Sequence, residues 1–365
     1  MSPSKVFIGI EPVHFAQEGL GVEPAVWEDG RRVPLDRRHF EWWYTDAELD
    51  DGSVIVVVFG IKPFFDTHFP VAPLVAVEYR PPEGKSIQAV YQTRNYRKKA
   101  HFASDKCDIR IGESSMTGDL KHYSITVKTK KISLQLELEN LLKPWRFGNG
   151  YMYFKEKDAL KKFAWFPAVP LAKVTGTITV KGTKHEITGK GYHDHNWGNA
   201  DPSNLFHHWY WCRGHVGKYS VIAGELVTHK RFGYSRHPYI LMMTKEEIIT
   251  RETAKITVER SLPVRHPRTR KLVNNQLKFG YSDEQRTFDL LIERQKDLVV
   301  RNLMLFNSPH LFFHQIGKNP WYHRFYGKMT LNLEELGHAK PQKEQLESSV
   351  IYELMYFGRN YQIAP

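Results

Sequence analysis

The run Gly189-Lys190-Gly191-Tyr192-His193-Asp194-His195-Asn196-Trp197-Gly198 packs more chemistry into ten residues than any other stretch of the chain. In an extended strand, His193 and His195 share one face, and Asp194 and Asn196 share the other. Such a run either offers a carboxylic acid and a histidine to a site, or forms a polar plug between domains with each group satisfied by backbone. A second cluster is Arg38-His39-Phe40-Glu41-Trp42-Trp43-Tyr44. Its adjacent tryptophans point to opposite strand faces, so one can floor a cavity while the other packs outward. The plainer reading is a core anchor for the first strand. The third cluster is His207-His208-Trp209-Tyr210-Trp211-Cys212, followed by Glu225 inside the apolar run Val221–Val227. A carboxylate among apolar neighbours is costly to ionise, so Glu225 is expected to be a proton donor near neutral pH. The alternative is a Glu paired with a buried Arg, or one facing water. By alternation Glu225 shares its face with Val221, Ala223 and Val227.

These groups need strands to position them, and the dominant period is two. Tyr123, Ile125 and Val127 alternate with polar residues, as do Ile132 to Leu138 and Val174 to Val180. That pattern marks antiparallel sheets with one buried face. Further strands are expected at Ser53–Ile61, Leu74–Arg80, Ile87–Thr93, Ser220–Val227, Tyr239–Thr244, Ile256–Arg260, Thr287–Glu293, Tyr326–Leu333 and Ile351–Phe357. Turns fall at Asp51-Gly52, Pro81 to Gly84, Lys181-Gly182 and Ser282-Asp283. Short helices are expected at Lys155–Lys162 and Lys340–Glu347. Many short strands at near-regular spacing imply sandwiches or barrels.

A weak internal echo divides the chain. Glu41 to Tyr44, Gly52 and the strand Val54–Phe59 are matched by His208 to Trp211, Gly217 and Ser220–Val227, about half the chain later. The boundary is expected in the turn-rich Gly198 to Ser203. The organisation is then an N-terminal extension (1–35), a first domain (36–198) and a second (199–365).

Composition narrows the classes. The 365 residues suit two domains, and 41% hydrophobic with 25% charged residues is a globular balance. The 52 Lys and Arg against 40 Asp and Glu give a net charge of +12. A basic surface attracts anions. The knots at Arg97 to Lys99, Lys128 to Lys131 and Arg265 to Lys271 are short, and a solvated basic face is preferred to nucleic-acid binding. The two cysteines, Cys107 and Cys212, make no CxxC or zinc spacing. No cofactor is expected. A metal held by His193, His195 and His208 is a minor alternative. The longest apolar run, Val54–Phe59, is far short of a membrane helix. No signal peptide is read at the N-terminus, so a cytoplasmic location is the default. There is no Gly-rich nucleotide loop and no Gly-x-Ser-x-Gly elbow.

The Phe40-Glu41-Trp42-Trp43-Tyr44 motif, Val174-x-Gly176 and Gly189-x-Gly191-Tyr192-x-Asp194-His195-Asn196-Trp197-Gly198 together resemble the carotenoid 1,2-hydratase (hydroxyneurosporene synthase) superfamily. That group shares its double-lipocalin fold with decalin-forming cyclases called Diels–Alderases. The resemblance runs from about Phe40 to Gly358. It implies an all-β chain of two lipocalin-like (calycin) antiparallel barrels in tandem, with a ligand cavity in or between them. It also implies that His195 and Trp197 belong to the site, with the acidic position falling on Glu225, where a hydratase has aspartate.

The expected chemistry is addition of water to, or cyclisation across, a C=C bond of a polyene or isoprenoid. Glu225 or Asp194 would act as acid, and His195 as base or orienting group. Trp42, Trp43, Tyr44, Trp197, Trp209 and Trp211 would bind substrate, tryptophan faces caging a carbocation. A pericyclic cyclase, which needs only a shaped pocket, and a non-catalytic lipid carrier are the alternatives. The partner expected is a hydrophobic small molecule, with no nucleic acid. The basic surface would dock peripherally on an anionic membrane.

Overall fold

The computed structural model describes residues 5–63, 70–157, 159–250, 255–303, 319–336 and 342–358. The chain forms two compact units, Met1–Pro202 and Ser203–Pro365. In the first, the strands are β1 (Lys5–Ile8), β2 (Phe40–Leu49), β3 (Val54–Gly60), β4 (Leu74–Arg80), β5 (Ile87–Gln92), β6 (Ala100–Phe102) and β7 (Cys107–Ile111). They continue with β8 (Ser114–Gly118), β9 (His122–Lys128), β10 (Ile132–Asn140), β11 (Tyr151–Glu156), β12 (Ala159–Val180) and β13 (Thr183–Gly198). In the second they are β14 (Phe206–Val216), β15 (Tyr219–Thr228), β16 (Arg236–Met243), β17 (Ile256–Arg265), β18 (Leu272–Ser282), β19 (Arg286–Asn302), β20 (Trp321–Glu335) and β21 (Gln342–Tyr356).

Each unit is one curled antiparallel sheet. The first runs β5-β4-β3-β2-β13-β12-β10-β9-β8-β7-β6, with β1 and β11 added beside β12. The second runs β16-β15-β14-β21-β20-β19-β18-β17. In both, the first long strand lies between its hairpin partner and the last strand of the unit. The internal echo therefore has a topological basis: β2 with Trp42 and Tyr44 occupies in one unit the place of β14 with Trp209 and Trp211 in the other.

The alternation seen in the sequence builds this sheet. Ile132, Leu134, Leu136 and Leu138 are buried, while Gln135, Glu137 and Glu139 on the same strand are exposed. The inward residues of the first unit form one continuous core. Trp43, Phe59, Val75, Ile125, Leu136, Phe166 and Val174 all have 0% exposure. An open depression of about 550 Å³ borders this core, lined by Ile87, Ile132, Lys130, Lys131 and Lys181.

Two expectations are corrected. Lys155–Lys162 is not a helix: it spans the end of β11 and the start of β12, which pair in register from Glu156↔Ala159. Lys157 takes the left-handed backbone of the turn, with φ 50°. Nor is Lys340–Glu347 a helix where it is described: 342–347 begin the 15-residue strand β21, and 340–341 lie outside the described residues. The first 35 residues, expected as an extension, contribute to the first unit: β1 pairs with β11, and the 3₁₀ turn Val26–Asp29 carries two buried acids, Glu28 and Asp29. Among the described residues, no helix is long and apolar enough to cross a membrane.

Candidate functional site

β13 pairs with β2 in a register that sets His193 opposite Thr45, Asp194 opposite Tyr44, His195 opposite Trp43, Asn196 opposite Trp42 and Trp197 opposite Glu41. Side chains alternate across a strand. The motif is thereby split. His193, His195 and Trp197 go inward with Thr45, Trp43 and Glu41. Tyr192, Asp194 and Asn196 go to the opposite face with Trp42, Tyr44 and Asp46.

The inward half is a closed polar network around the Val26–Asp29 turn. His193 Nδ1 contacts the Tyr44 carbonyl at 2.8 Å, and its Nε2 lies 3.1 Å from Asp29 Oδ2. Tyr123 Oη donates to the same carboxylate at 2.6 Å, and Trp43 Nε1 to the Asp29 carbonyl at 2.9 Å. Burial alone would raise the Asp29 carboxyl. The imidazole of His193, helped by His195 and Tyr123, holds it below the usual carboxylate range. Burial would likewise lower His193, and Asp29 raises it instead. The two form an imidazolium–carboxylate pair. His195 reaches the Glu28 carbonyl (3.2 Å) and Glu41 Oε1 (2.9 Å), and its ring stacks on Trp43 with centroids 4.4 Å apart. Glu28 is clamped by buried Arg146 at 2.7 and 3.1 Å.

Asp29, Cys107 and His193 bring ligand atoms within 4.8 Å of one another. Burial and the adjacent Asp29 push the Cys107 thiol well up, so it stays protonated and is a poor ligand. With Tyr123 and His193 already on Asp29, this donor set is a satisfied hydrogen-bond cluster.

The outward half differs in kind. Asp194 is only 6% exposed. Its Oδ2 accepts from Trp165 Nε1 and Tyr192 Oη, both at 2.8 Å, and its Oδ1 from Asn196 Nδ2 at 2.7 Å. Burial pushes its pKa up to about 6, against the lowering effect of the Trp165 and Tyr192 bonds and of His193. Tyr44 Oη donates to Asp46 Oδ2 at 2.9 Å, and the Tyr44 and Tyr192 rings lie 6.3 Å apart. Trp42 stacks on Phe40 at 5.1 Å. The result is a carboxyl group set among aromatic rings, able to give and take a proton near pH 6.

Asp194 and His195, expected to act together, therefore project from opposite faces of one strand. His195 and Trp197 lie in the interior, Trp197 donating to Tyr151 Oη at 2.9 Å. Trp43 is interior as well, whereas Trp42 and Tyr44 share the face of Asp194.

In the second unit Glu225 stands opposite Tyr210 and is 1% exposed. It points inward, as alternation required. Its partners are two guanidinium groups, Arg236 Nε and Arg260 Nε, the latter at 3.1 Å. The alternative weighed from sequence, a Glu paired with buried Arg, describes it. Glu225 thus sits beside two guanidinium groups and not among apolar side chains alone. Trp209 and Trp211 project to the other face, half-buried, Trp209 packing edge-on to Phe357 at 4.9 Å. They do not share a pocket wall with Glu225.

The echo places Trp211 where Tyr44 stands, and Trp211 opposes Glu353 as Tyr44 opposes Asp194. Glu353 is held by Arg324 at 2.6 and 3.0 Å and by Tyr322 Oη. Among the described residues Asp194 has no Lys or Arg partner. Of the two equivalent carboxyls, the second is paired with a guanidinium and the first, among the described residues, is not. Sequence reading missed Asp29, Tyr123, Trp165 and Arg260, which reach these sites from distant segments. Tyr192 lay in the motif, and its even spacing from Asp194 was the available signal.

Comparison with known proteins agrees with this architecture. The AttH-like family profile matches residues 77–290. The quinolone epoxide rearrangement protein asqO of Emericella nidulans is 36% identical over 53 residues, which is 14% of each chain. The corresponding penF protein of Penicillium thymicola is 36% identical over 61 residues, 17% of each. The matched segments thus span less than a fifth of those relatives. Among solved structures, an AttH protein from Nitrosomonas europaea superposes with a TM-score of 0.60 at 14% identity, covering 96% of this chain and 99% of that one. CghA with Sch210972 gives 0.59 at 13% identity, covering 97% and 99%. Kievitone hydratase from Nectria haematococca gives 0.51 at 14%, covering 87% and 88%. With more than half its length matched and a tandem lipocalin-like fold in common, the chain belongs to the AttH-like family.

Proposed function

We propose that the protein is an enzyme acting on a hydrophobic substrate, and that Asp194 is its proton donor. Substrate would lie against the face that carries Asp194, Tyr44, Tyr192 and Trp165. The observation that carries this reading is the Asp194 carboxyl, buried with no Lys or Arg partner among the described residues and raised to about 6. A carboxyl group that still holds its proton in part at pH 6 can protonate an alkene, and aromatic faces stabilise the resulting cation. Capture of that cation by water gives hydration, and capture by a second double bond gives a ring. The relatives support a reaction of this kind: one is named a hydratase and two are named for epoxide rearrangement, a reaction that protonation of the epoxide oxygen can start. A polyene or isoprenoid chain is the proposed substrate class, because burial is what such a chain gains from an apolar surface.

The test is turnover in deuterated water with an acyclic carotenoid and a prenylated aromatic as trial substrates. Deuterium should appear on product carbon. Asp194→Asn should lower kcat by about 10²- to 10⁴-fold. Product without deuterium, formed equally fast by the Asn variant, would instead mark a pericyclic cyclase and overturn the assignment.

A further inference from the structure

We infer that the tip of the β17–β18 hairpin is a docking surface for an anionic lipid bilayer. The second unit carries most of the net positive charge: residues 203–365 hold 24 Lys and Arg against 15 Asp and Glu, +9 of the chain's +12. The hairpin tip, Arg265-His266-Pro267-Arg268-Thr269-Arg270-Lys271, contains four cations and no acid. Lys271 is buried, its Nζ donating to the Gly358 carbonyl at 2.6 Å. Arg265, Arg268 and Arg270 are exposed.

The tip is rigid. His266 N donates to the Lys271 carbonyl and Arg270 N to the His266 carbonyl, both at 2.8 Å. Arg270 holds the turn with φ 59°. Asp297 is taken by His266 at 2.8 Å and Arg294 at 2.6 Å.

Apolar groups accompany the charge. Leu262, three residues before Arg265, adopts φ 50° and is 58% exposed. An L-residue rarely takes that backbone, and here it turns an apolar side chain to solvent. The Arg268 guanidinium lies 5.9 Å from the ring of half-buried Trp321, and its Nη1 donates to the Val300 carbonyl at 3.2 Å. Fixed arginines beside a tryptophan and an exposed leucine match the bilayer interface: phosphates outside, hydrocarbon just beneath. A surface that was only solvated would need neither the leucine nor the ordered turn. The inference is independent of the role given to Asp194.

Co-sedimentation of the full chain with vesicles tests it. Phosphatidylcholine–phosphatidylserine vesicles should bind the protein, and phosphatidylcholine alone should not. Binding should weaken as salt is raised. The variant R265Q/R268Q/R270Q, whose three positions are exposed, should keep the circular dichroism spectrum and Tm of the parent. Its partitioning should fall about a hundredfold. Leu262→Ser should weaken binding while leaving its salt dependence unchanged. Absence of binding, equal binding to neutral vesicles, tighter capture by duplex DNA at the same ionic strength, or undiminished binding by the triple variant would each overturn the inference.

Discussion

Asp194 shows how one side chain can be tuned by competing effects. Burial, with Asp46 nearby, favours the neutral acid, while the Trp165 and Tyr192 bonds and the charge of His193 favour the carboxylate; burial wins, and the group sits at about 6. Removing one donor should shift the balance further. Trp165→Phe deletes the 2.8 Å bond to Oδ2 but keeps most of the packing. The Asp194 midpoint is then expected above 6, read from the carbonyl stretch of the protonated acid across a pH series. A midpoint that falls or stays fixed would show that the indole bond does not govern this group. Asn196→Ala, which removes the donor to Oδ1, should act in the same direction. Both variants should move the pH profile of any turnover alongside the spectroscopic midpoint.

At the scale of the element, β13 is a two-sided strand whose inward face is locked so that its outward face can be placed. The Asp29–His193 pair, the Trp43 stack and Glu28 clamped by Arg146 all bear on one side of it. Breaking a buried ion pair leaves an uncompensated charge, so Asp29→Asn is expected to cost about 3–5 kcal/mol, measured by urea unfolding. Gly189 is a separate restraint. A Cβ there would lie 2.3 Å from the Glu48 carbonyl oxygen of β2, a backbone atom that cannot swing aside. Gly189→Ala should therefore destabilise by about 1–3 kcal/mol through displaced pairing. Unchanged stability would mean that β2 can yield there. This strand also shows what sequence could reveal. Alternation gave the strands themselves, and even spacing already separated Asp194 from His195. The helix expected at Lys155–Lys162 is instead a hairpin whose Lys161 pairs with Glu156 across the strands. Similarly, the charged start of β21 is exposed strand, not a polar helix face. Alternation set Glu225 on the face of Val221, Ala223 and Val227, but its two arginines lie 11 and 35 residues away. The Asp29 network was invisible for the same reason: its partners come from β2, β7, β9 and β13, and only the closed sheet brings them together.

Taken as a whole molecule, the chain divides its titrating groups unevenly. In the first unit, Asp194 and His193 bind protons more tightly folded than unfolded. Their contribution is present at low pH and is lost as pH rises through their folded values, from about 6 for Asp194. Asp29, held low, runs the other way, and its contribution is lost only as pH falls through and below the ordinary carboxylate range. In the second unit, burial lowers His208, His237 and His323, the last two to about 4 and about 3. His208 Nε2 accepts from Arg260 at 2.9 Å, so a proton there would meet a guanidinium. The unfolded chain takes up protons at these histidines below about 6.5 and the folded chain does not, so their stabilisation is lost as pH falls. For fully buried His323 the loss at pH 5 is about 2 kcal/mol. Acidification from pH 7 to 5 should therefore weaken the second unit and spare the first. Hydrogen exchange on the full chain, corrected for intrinsic rates, resolves the two: β14, β16 and β20, which carry these histidines, should lose protection while β2 and β13 keep theirs. His323→Phe should remove part of this dependence, because a ring without nitrogen has nothing to protonate. Earlier loss of protection in β2 and β13 would show that acid sensitivity resides in the Asp29 network instead.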